Sequence, residues 1–173
     1  MWPGAVGLSD YLCDVWGETR LAGMPILELG CGTGLVSLIA ANLGGDVTAS
    51  DIAVEALRLV ERAAEDNRVT LQTAILDWEN PKLSRRYPMV LGADVMYYEP
   101  LFDGLLDCLD RSLAPGGLAL FSDPIRSPGT LFLQMLRERG FVFEQSLRTV
   151  DVRGRESIVG IYRIWRRGEE PIG

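Results

Sequence analysis

The chain has 173 residues, a net charge of −7 and no histidine. That length suits one domain with a sizeable core, and 47% hydrophobic with 24% charged residues is the composition of a folded globular protein, not a disordered or fibrous one. Without an imidazole there is no Ser-His-Asp or Cys-His triad, no histidine-ligated zinc and no histidine general base. The acidity (pI about 4.7) also leaves no broad basic face for nucleic acid.

In chain order, residues 7–21 read as an opening helix, and Pro25-Ile26-Leu27-Glu28-Leu29 as a short apolar strand running into glycines. A buried helix follows over 35–42, a second strand over 46–50 and a helix over 53–66. Residues 69–76 and 89–93 read as the third and fourth strands. Leu101, Phe102, Leu105, Leu106, Leu109 and Leu113 then recur at helical spacing, with Ala114-Pro115-Gly116-Gly117 as the stop and 118–122 as strand five. A helix over 130–139 ends at Gly140, and two β-rich runs, 141–150 and 156–165, join around Asp151-Val152-Arg153-Gly154 like a hairpin. The strand–helix alternation predicts an α/β fold: a Rossmann-like, mostly parallel seven-stranded sheet with helices on both faces. The terminal hairpin cannot continue a parallel winding, so it should contribute one antiparallel strand. No repeat or linker divides the chain; residues 1–165 are expected to form a single domain and 166–173 a frayed tail.

Lys82 is the only lysine and lies in a polar loop, where it reads as solvated rather than as a Schiff-base or general-base residue. Cys13, Cys31 and Cys108 are odd in number and far apart, which excludes a disulfide framework or a cysteine zinc site. Cys108, mid-helix, is expected to be buried. No signal peptide heads the chain and no apolar run is long enough to cross a bilayer, so a cytoplasmic protein without membrane partners is expected.

The segment Glu28-Leu29-Gly30-Cys31-Gly32-Thr33-Gly34 carries the most chemistry. It is a strand entering a tight glycine turn at the start of a helix, where ligands sit in open α/β sheets. The spacing is G-x-G-x-G; Leu35 stands where the dinucleotide fingerprint would need glycine. Thr33 is placed to cap the helix. Asp51, 21 residues beyond Gly30, has the spacing at which a carboxylate accepts hydrogen bonds from ribose hydroxyls. Glu28, a carboxylate in an apolar strand, needs a partner, and a cationic ligand group would provide one. S-adenosylmethionine offers an ammonium for Glu28, a ribose for Asp51 and an adenine for an apolar slot beyond strand three, and it has no pyrophosphate to cradle.

Glu-Leu-Gly-Cys-Gly-Thr-Gly resembles motif I of the class I S-adenosylmethionine-dependent methyltransferases. Three further segments resemble the protein-lysine branch of the seven-β-strand enzymes: Trp2-Pro3-Gly4 before the first helix, Leu76-Asp77-Trp78 after strand three, and Asp94-Val95-Met96-Tyr97, a D-x-x-Y after strand four. The resemblance covers nearly the whole chain. It implies a cofactor site made by Trp2, Glu28, Gly30, Cys31, Gly32, Gly34, Asp51, Ile52, Asp77, Trp78 and Ala93, with Asp94 and Tyr97 as catalytic residues and no metal. The implied reaction is in-line N-methylation of a lysine side chain on a protein. A small-molecule amine acceptor and a non-catalytic S-adenosylmethionine-binding module are the alternatives.

Asp94 would hold the incoming ammonium, while Tyr97 would wall the channel or hydrogen-bond the amine; a carboxylate there favours the charged amine, and the sulfonium's positive charge and burial oppose it. The acidic surface suits a basic or amine substrate better than RNA. Nothing in the sequence speaks to oligomeric state. Members of this branch carry a stretch ahead of the Trp-Pro segment, so the sequence beginning Met1-Trp2-Pro3 is expected either to start later than the natural chain or to be a trimmed form with an open site, which keeps the small-molecule amine as the alternative acceptor.

Overall fold

The structure, a computed structural model, describes residues 2–173. The opening helix differs from its predicted form and comes in three pieces. Helix α1 (Pro3–Tyr11) begins at a proline, which has no N–H to leave unpaired. Leu12–Trp16 then forms a π-type turn, and α2 (Gly17–Leu21) follows, with Gly17 at φ +61°. The π turn buries both Leu12 and Trp16, which an unbroken helix would place a full turn apart on one side.

Strand β1 (Pro25–Leu29) and helix α3 (Leu35–Asn42) lie where the pattern puts them, followed by β2 (Asp46–Asp51) and α4 (Val54–Asn67). Strand β3 is only Gln72–Ile75, shorter than predicted. Arg68 turns to φ +57° and the Val69 N–H donates to the Ala64 carbonyl at 2.9 Å, so the first residues of that apolar run are used to close α4. After β4 (Tyr87–Ala93), a 3-10 turn (Glu99–Leu101) leads into α5 (Phe102–Ser112).

Strand β5 runs Leu113–Asp123 and takes in the Ala114–Gly117 segment predicted as a stop. Tyr87 pairs with Leu113 and Met89 with Leu118, so Ala114-Pro115-Gly116-Gly117 bulges from the ladder, where the missing N–H of proline costs nothing. Helix α6 (Ser127–Glu138) precedes the hairpin of β6 (Phe141–Asp151) and β7 (Glu156–Arg166). Arg153 and Gly154, at φ +56° and +77°, make its two-residue turn, with the Val152 N–H on the Arg155 carbonyl at 2.9 Å.

The seven strands form one sheet in the order β3-β2-β1-β4-β5-β7-β6. Strands β1 to β5 are mutually parallel, and β7 runs antiparallel to both of its neighbours, β5 and β6, as the hairpin predicts. Alternate strand residues feed two cores. Leu27, Val90, Ala119 and Phe121 face a cluster with α5 and α6, whereas Ile26, Met89, Leu118 and Leu120 face one with α1 and α3. The last residues lie on the Gly116 bulge instead of running free: the Gly116 N–H donates to Glu169 Oε2 at 2.7 Å and the Ile172 N–H to the Gly116 carbonyl at 3.1 Å.

The strand order reverses at β1, whose neighbours β2 and β4 depart in opposite directions. That reversal opens a crevice at the carboxyl ends of β1 and β4, the place where ligands bind in sheets of this kind.

Candidate active site

The loops leaving β1, β2, β3 and β4 line a cleft of about 640 Å³, a volume suited to a nucleoside-sized ligand. Its floor is the glycine turn. Gly30 sits at φ +67°, and a β-carbon there would stand 2.9 Å from Cζ2 of Trp78. Gly34, at φ +79°, would meet Cγ2 of Val60 at 2.6 Å. Gly30 therefore lets Trp78 lie against the turn, and Gly34 lets α4 pack on it. Gly34 is the one predicted cofactor residue that does not line the cleft; it faces Val60. Thr33 does line it but makes no capping bond, because Gly34 occupies the N-cap position of α3.

Glu28 is 2% exposed and accepts a short hydrogen bond from the Ser37 hydroxyl. Burial, opposed by the Ser37 bonds and assisted by the negative charge of Asp51, pushes its carboxyl up to about 7. Asp51 ends β2 with both oxygens already oriented: Oδ2 accepts the Gly32 N–H and Oδ1 the Ala53 N–H, each at 2.9 Å. Each oxygen keeps a second lone pair for a hydroxyl donor. Ile52, Asp77 and Trp78 line the far end, where Asp77 fixes the turn by accepting the Glu79 N–H at 3.0 Å. Trp2, Cys31 and Ala93 also line the cleft, and burial raises the pKa of the Cys31 thiol, which keeps it protonated. Cys108 is fully buried in α5.

Asp94 is 9% exposed and takes the left-handed conformation at φ +57°. Its N–H donates to the Ser122 carbonyl at 2.9 Å. Its side chain accepts the Ala5 N–H at 3.1 Å on Oδ2 and Nη2 of Arg126 at 3.0 Å on Oδ1. Burial still pushes this carboxyl above its ordinary value, against the pull of Arg126 and of the α1 N–H groups. Arg126 is itself fastened to Asp123, through its backbone N–H at 2.9 Å on Oδ1 and its Nε at 3.0 Å on Oδ2. Tyr97 is 59% exposed at the rim, with its ring centroid 5.5 Å from the Arg126 guanidinium carbon.

Arg126 and Asp123 belong to this cluster and were missed by sequence reasoning, as was the contact of Gly4, named only within Trp2-Pro3-Gly4, with Asp94. The signal for the first two was the charged sequence Asp123-Pro124-Ile125-Arg126 at the carboxyl end of β5.

A parallel sheet with one reversed strand, a glycine turn at its switch point and carboxylates at the ends of β1, β2 and β4 defines a class I methyltransferase architecture. The magnesium protoporphyrin IX methyltransferase of Synechocystis PCC 6803, solved with bound S-adenosylmethionine, has the same fold, with a TM-score of 0.71 at 17% identity over 92% of this chain and 77% of that one. The precorrin-6y C5,15-methyltransferase of Geobacter metallireducens gives a TM-score of 0.68 at 16% identity over 94% and 88%.

The sequence profile of the lysine methyltransferase family matches residues 1–139, and the chain belongs to that family. Among its relatives, mouse EEF1A lysine methyltransferase 3 is 32% identical over all of this chain and 74% of its own length. The zebrafish protein N-lysine methyltransferase METTL21A is 36% identical over 83% of this chain and 69% of its own. The chain is an S-adenosylmethionine-dependent methyltransferase.

The residues present fit that cofactor. A buried carboxyl held by Ser37 lies at one end of the cleft, a pre-oriented aspartate beside it, and an indole over a glycine where any β-carbon would intrude. No helix among the described residues is long and apolar enough to cross a membrane.

Proposed function

We propose that the chain methylates the side-chain amine of a lysine presented by a protein, with Asp94 and Tyr97 forming the seat for that amine. The observation that carries the reading is the position of Asp94: a carboxylate at the switch-point cleft, held by the Ala5 N–H and Arg126, beside a tyrosine exposed at the rim.

Glu28 and Asp51 would hold the amino acid and ribose ends of S-adenosylmethionine, and Ile52, Asp77 and Trp78 its adenine. When bound, the cofactor supplies a methyl group on sulfonium sulfur, which keeps the electron pair of the broken C–S bond as the acceptor nitrogen takes the methyl. The protein's part is alignment and exclusion of water. Asp94 accepts an N–H from the amine and points its lone pair inward, and Tyr97 walls the approach. No imidazole is needed. A proton on the arriving ammonium has to leave before attack, since the free amine has a pKa of about 10.4.

The names of the relatives support a protein acceptor, and EEF1A is the first to try because the mouse relative is named for it. The cytoplasm is the proposed setting, in keeping with the free cysteines. The test is transfer of labelled methyl from S-adenosylmethionine into a whole-cell extract and into EEF1A, followed by acid hydrolysis. Methyl-lysine recovered from protein supports the reading. Label confined to low-mass amines overturns the protein acceptor, and tight cofactor binding without any transfer overturns catalysis.

A further inference from the structure

We propose that Arg126 is a positioning residue that sets the protonation state of the acceptor: its guanidinium, pinned by Asp123 against Asp94, is the fixed positive charge that lets the seat receive a neutral amine. This rests on the reading of Asp94 as the amine seat. A carboxylate at that seat presents a difficulty, because it stabilises the ammonium, the form that cannot attack. Two carboxylates would do so more strongly, and Asp94 and Asp123 both lie at the carboxyl ends of adjacent strands, β4 and β5.

The geometry answers this with one cation. Nη2 of Arg126 bridges the two carboxylates, Nε binds Asp123, and the backbone N–H of Arg126 binds Asp123 again. With two guanidinium contacts and a backbone N–H on Asp123, itself 1% exposed, Arg126 is fixed by the protein and is not free to leave with the substrate. It nevertheless lines the cleft, a third of its side chain exposed, and faces the Tyr97 ring.

The backbone supports the placement. Ile125, the residue before, is held at φ +57°, a left-handed conformation that a β-branched side chain avoids. Strain of this kind persists only where surrounding contacts enforce it, and the bonds of Arg126 on Asp123 close the turn that contains Ile125.

The charged and titratable groups around the seat are few. From β4 and its loop come Asp94 and Tyr97, from β5 Asp123, and from β7 Tyr162, whose phenol is pushed up by burial and by Asp123. The first N–H groups of α1 face Asp94 from the other side, and Glu28, Cys31, Asp51, Asp77 and Glu79 line the same cleft. Among them Arg126 is the only fixed cation. It offsets Asp94, so the carboxylate keeps its hydrogen-bonding lone pair while losing most of its preference for ammonium. The proton lost by the arriving ammonium passes to water at the open rim.

The test uses n-butylamine as the amine and the protein loaded with S-adenosylhomocysteine. Calorimetry at pH 7.5 in two buffers of different ionisation heat gives the protons released per amine bound. The wild-type protein should release a large part of one proton. R126Q should release almost none and bind the amine about tenfold more tightly, as the ammonium, while R126K keeps the wild-type release. With whichever acceptor the extract assay identifies, the acid limb of kcat, which reports the bound amine, should move up by about one pH unit in R126Q.

Binding of S-adenosylhomocysteine by each variant reports that it is folded, and R126K carries the test if R126Q does not fold: loss of proton release in R126K overturns the assignment. Equal proton release in wild type and R126Q also overturns it. Failure of the wild-type protein to bind n-butylamine removes the amine seat itself, and this assignment with it.

Discussion

A β-carbon on Gly4 would overlap the carboxylate of Asp94, so the start of α1 and the loop after β4 meet only because residue 4 has no side chain. The contact joins the Trp-Pro-Gly segment to the D-x-x-Y segment: the Ala5 N–H donates to Asp94, and the Ser122 hydroxyl donates to the Gly4 carbonyl at 2.9 Å. Gly4→Ala should therefore force α1 away from the site. The expected loss is about 1–3 kcal/mol of stability in urea unfolding, the range for overpacking. Methyl transfer should fall with it. The double variant Gly4→Ala/Asp94→Ala should recover part of the stability loss, since the overlapping atoms are gone.

Asp94→Asn keeps the shape of the side chain and suits the left-handed backbone, because asparagine tolerates positive φ. It should still bind the cofactor. kcat/KM should drop on the order of 100-fold, the scale of a misplaced acceptor. Wild-type turnover by Asp94→Asn or Asp94→Ala would remove Asp94 from the reaction.

The carboxyl of Glu28, raised to about 7 by burial, makes stability depend on pH in a direction opposite to that of most acidic residues. In the unfolded chain it ionises near 4.5, but in the folded one only near 7, so stability falls as pH rises between those values. The change amounts to about 3 kcal/mol at most. Glu28→Gln should remove it: the variant gains thermal stability over wild type at pH 8 but not at pH 4. If Glu28 holds the cofactor's ammonium, wild-type affinity should tighten as pH rises through 7, and Glu28→Gln should show a flat, weaker profile in calorimetry.

Asp51 is the third anchor. Replacing it by alanine removes both the ribose acceptor and the partner of the Gly32 and Ala53 N–H groups. Cofactor affinity should fall about 10- to 100-fold, as expected for a charged hydrogen-bond acceptor. An unchanged Kd would take the ribose elsewhere.

At the end of α4, Arg68 holds φ +57°, a position that favours glycine. Arg68→Gly should stabilise the protein by about 0.5–1 kcal/mol in urea unfolding with no change in cofactor affinity. This control is remote from the cleft.

Local signals sufficed for much of this molecule. The apolar run 25–29, the G-x-G-x-G turn and the hairpin around Arg153-Gly154 specify their structures through short-range sterics, and these are what a single chain segment carries. Where local reading failed, a neighbour decided. Val69 is apolar and reads as strand, yet its N–H is used to close α4. Ala114–Gly117 reads as a stop, yet β4 pairs on both sides of it. Gly34 owes its lack of a side chain to Val60 of α4, a packing reason that its place in the motif does not show.

The absence of histidine was plain from composition, and it already required a chemistry that works without an imidazole. The glycines, Glu28, Asp51, Asp94 and Tyr97 could be named from spacing and resemblance, because the carboxyl ends of parallel strands are where such residues act. Only the folded chain brings Gly4, Asp94, Asp123 and Arg126 to one point, from segments up to 122 residues apart. Contacts of that range leave no periodic trace in the sequence. A charge acts over a few ångströms of space, whatever the separation along the chain, so the electrostatics of the amine seat were decided by the tertiary structure alone.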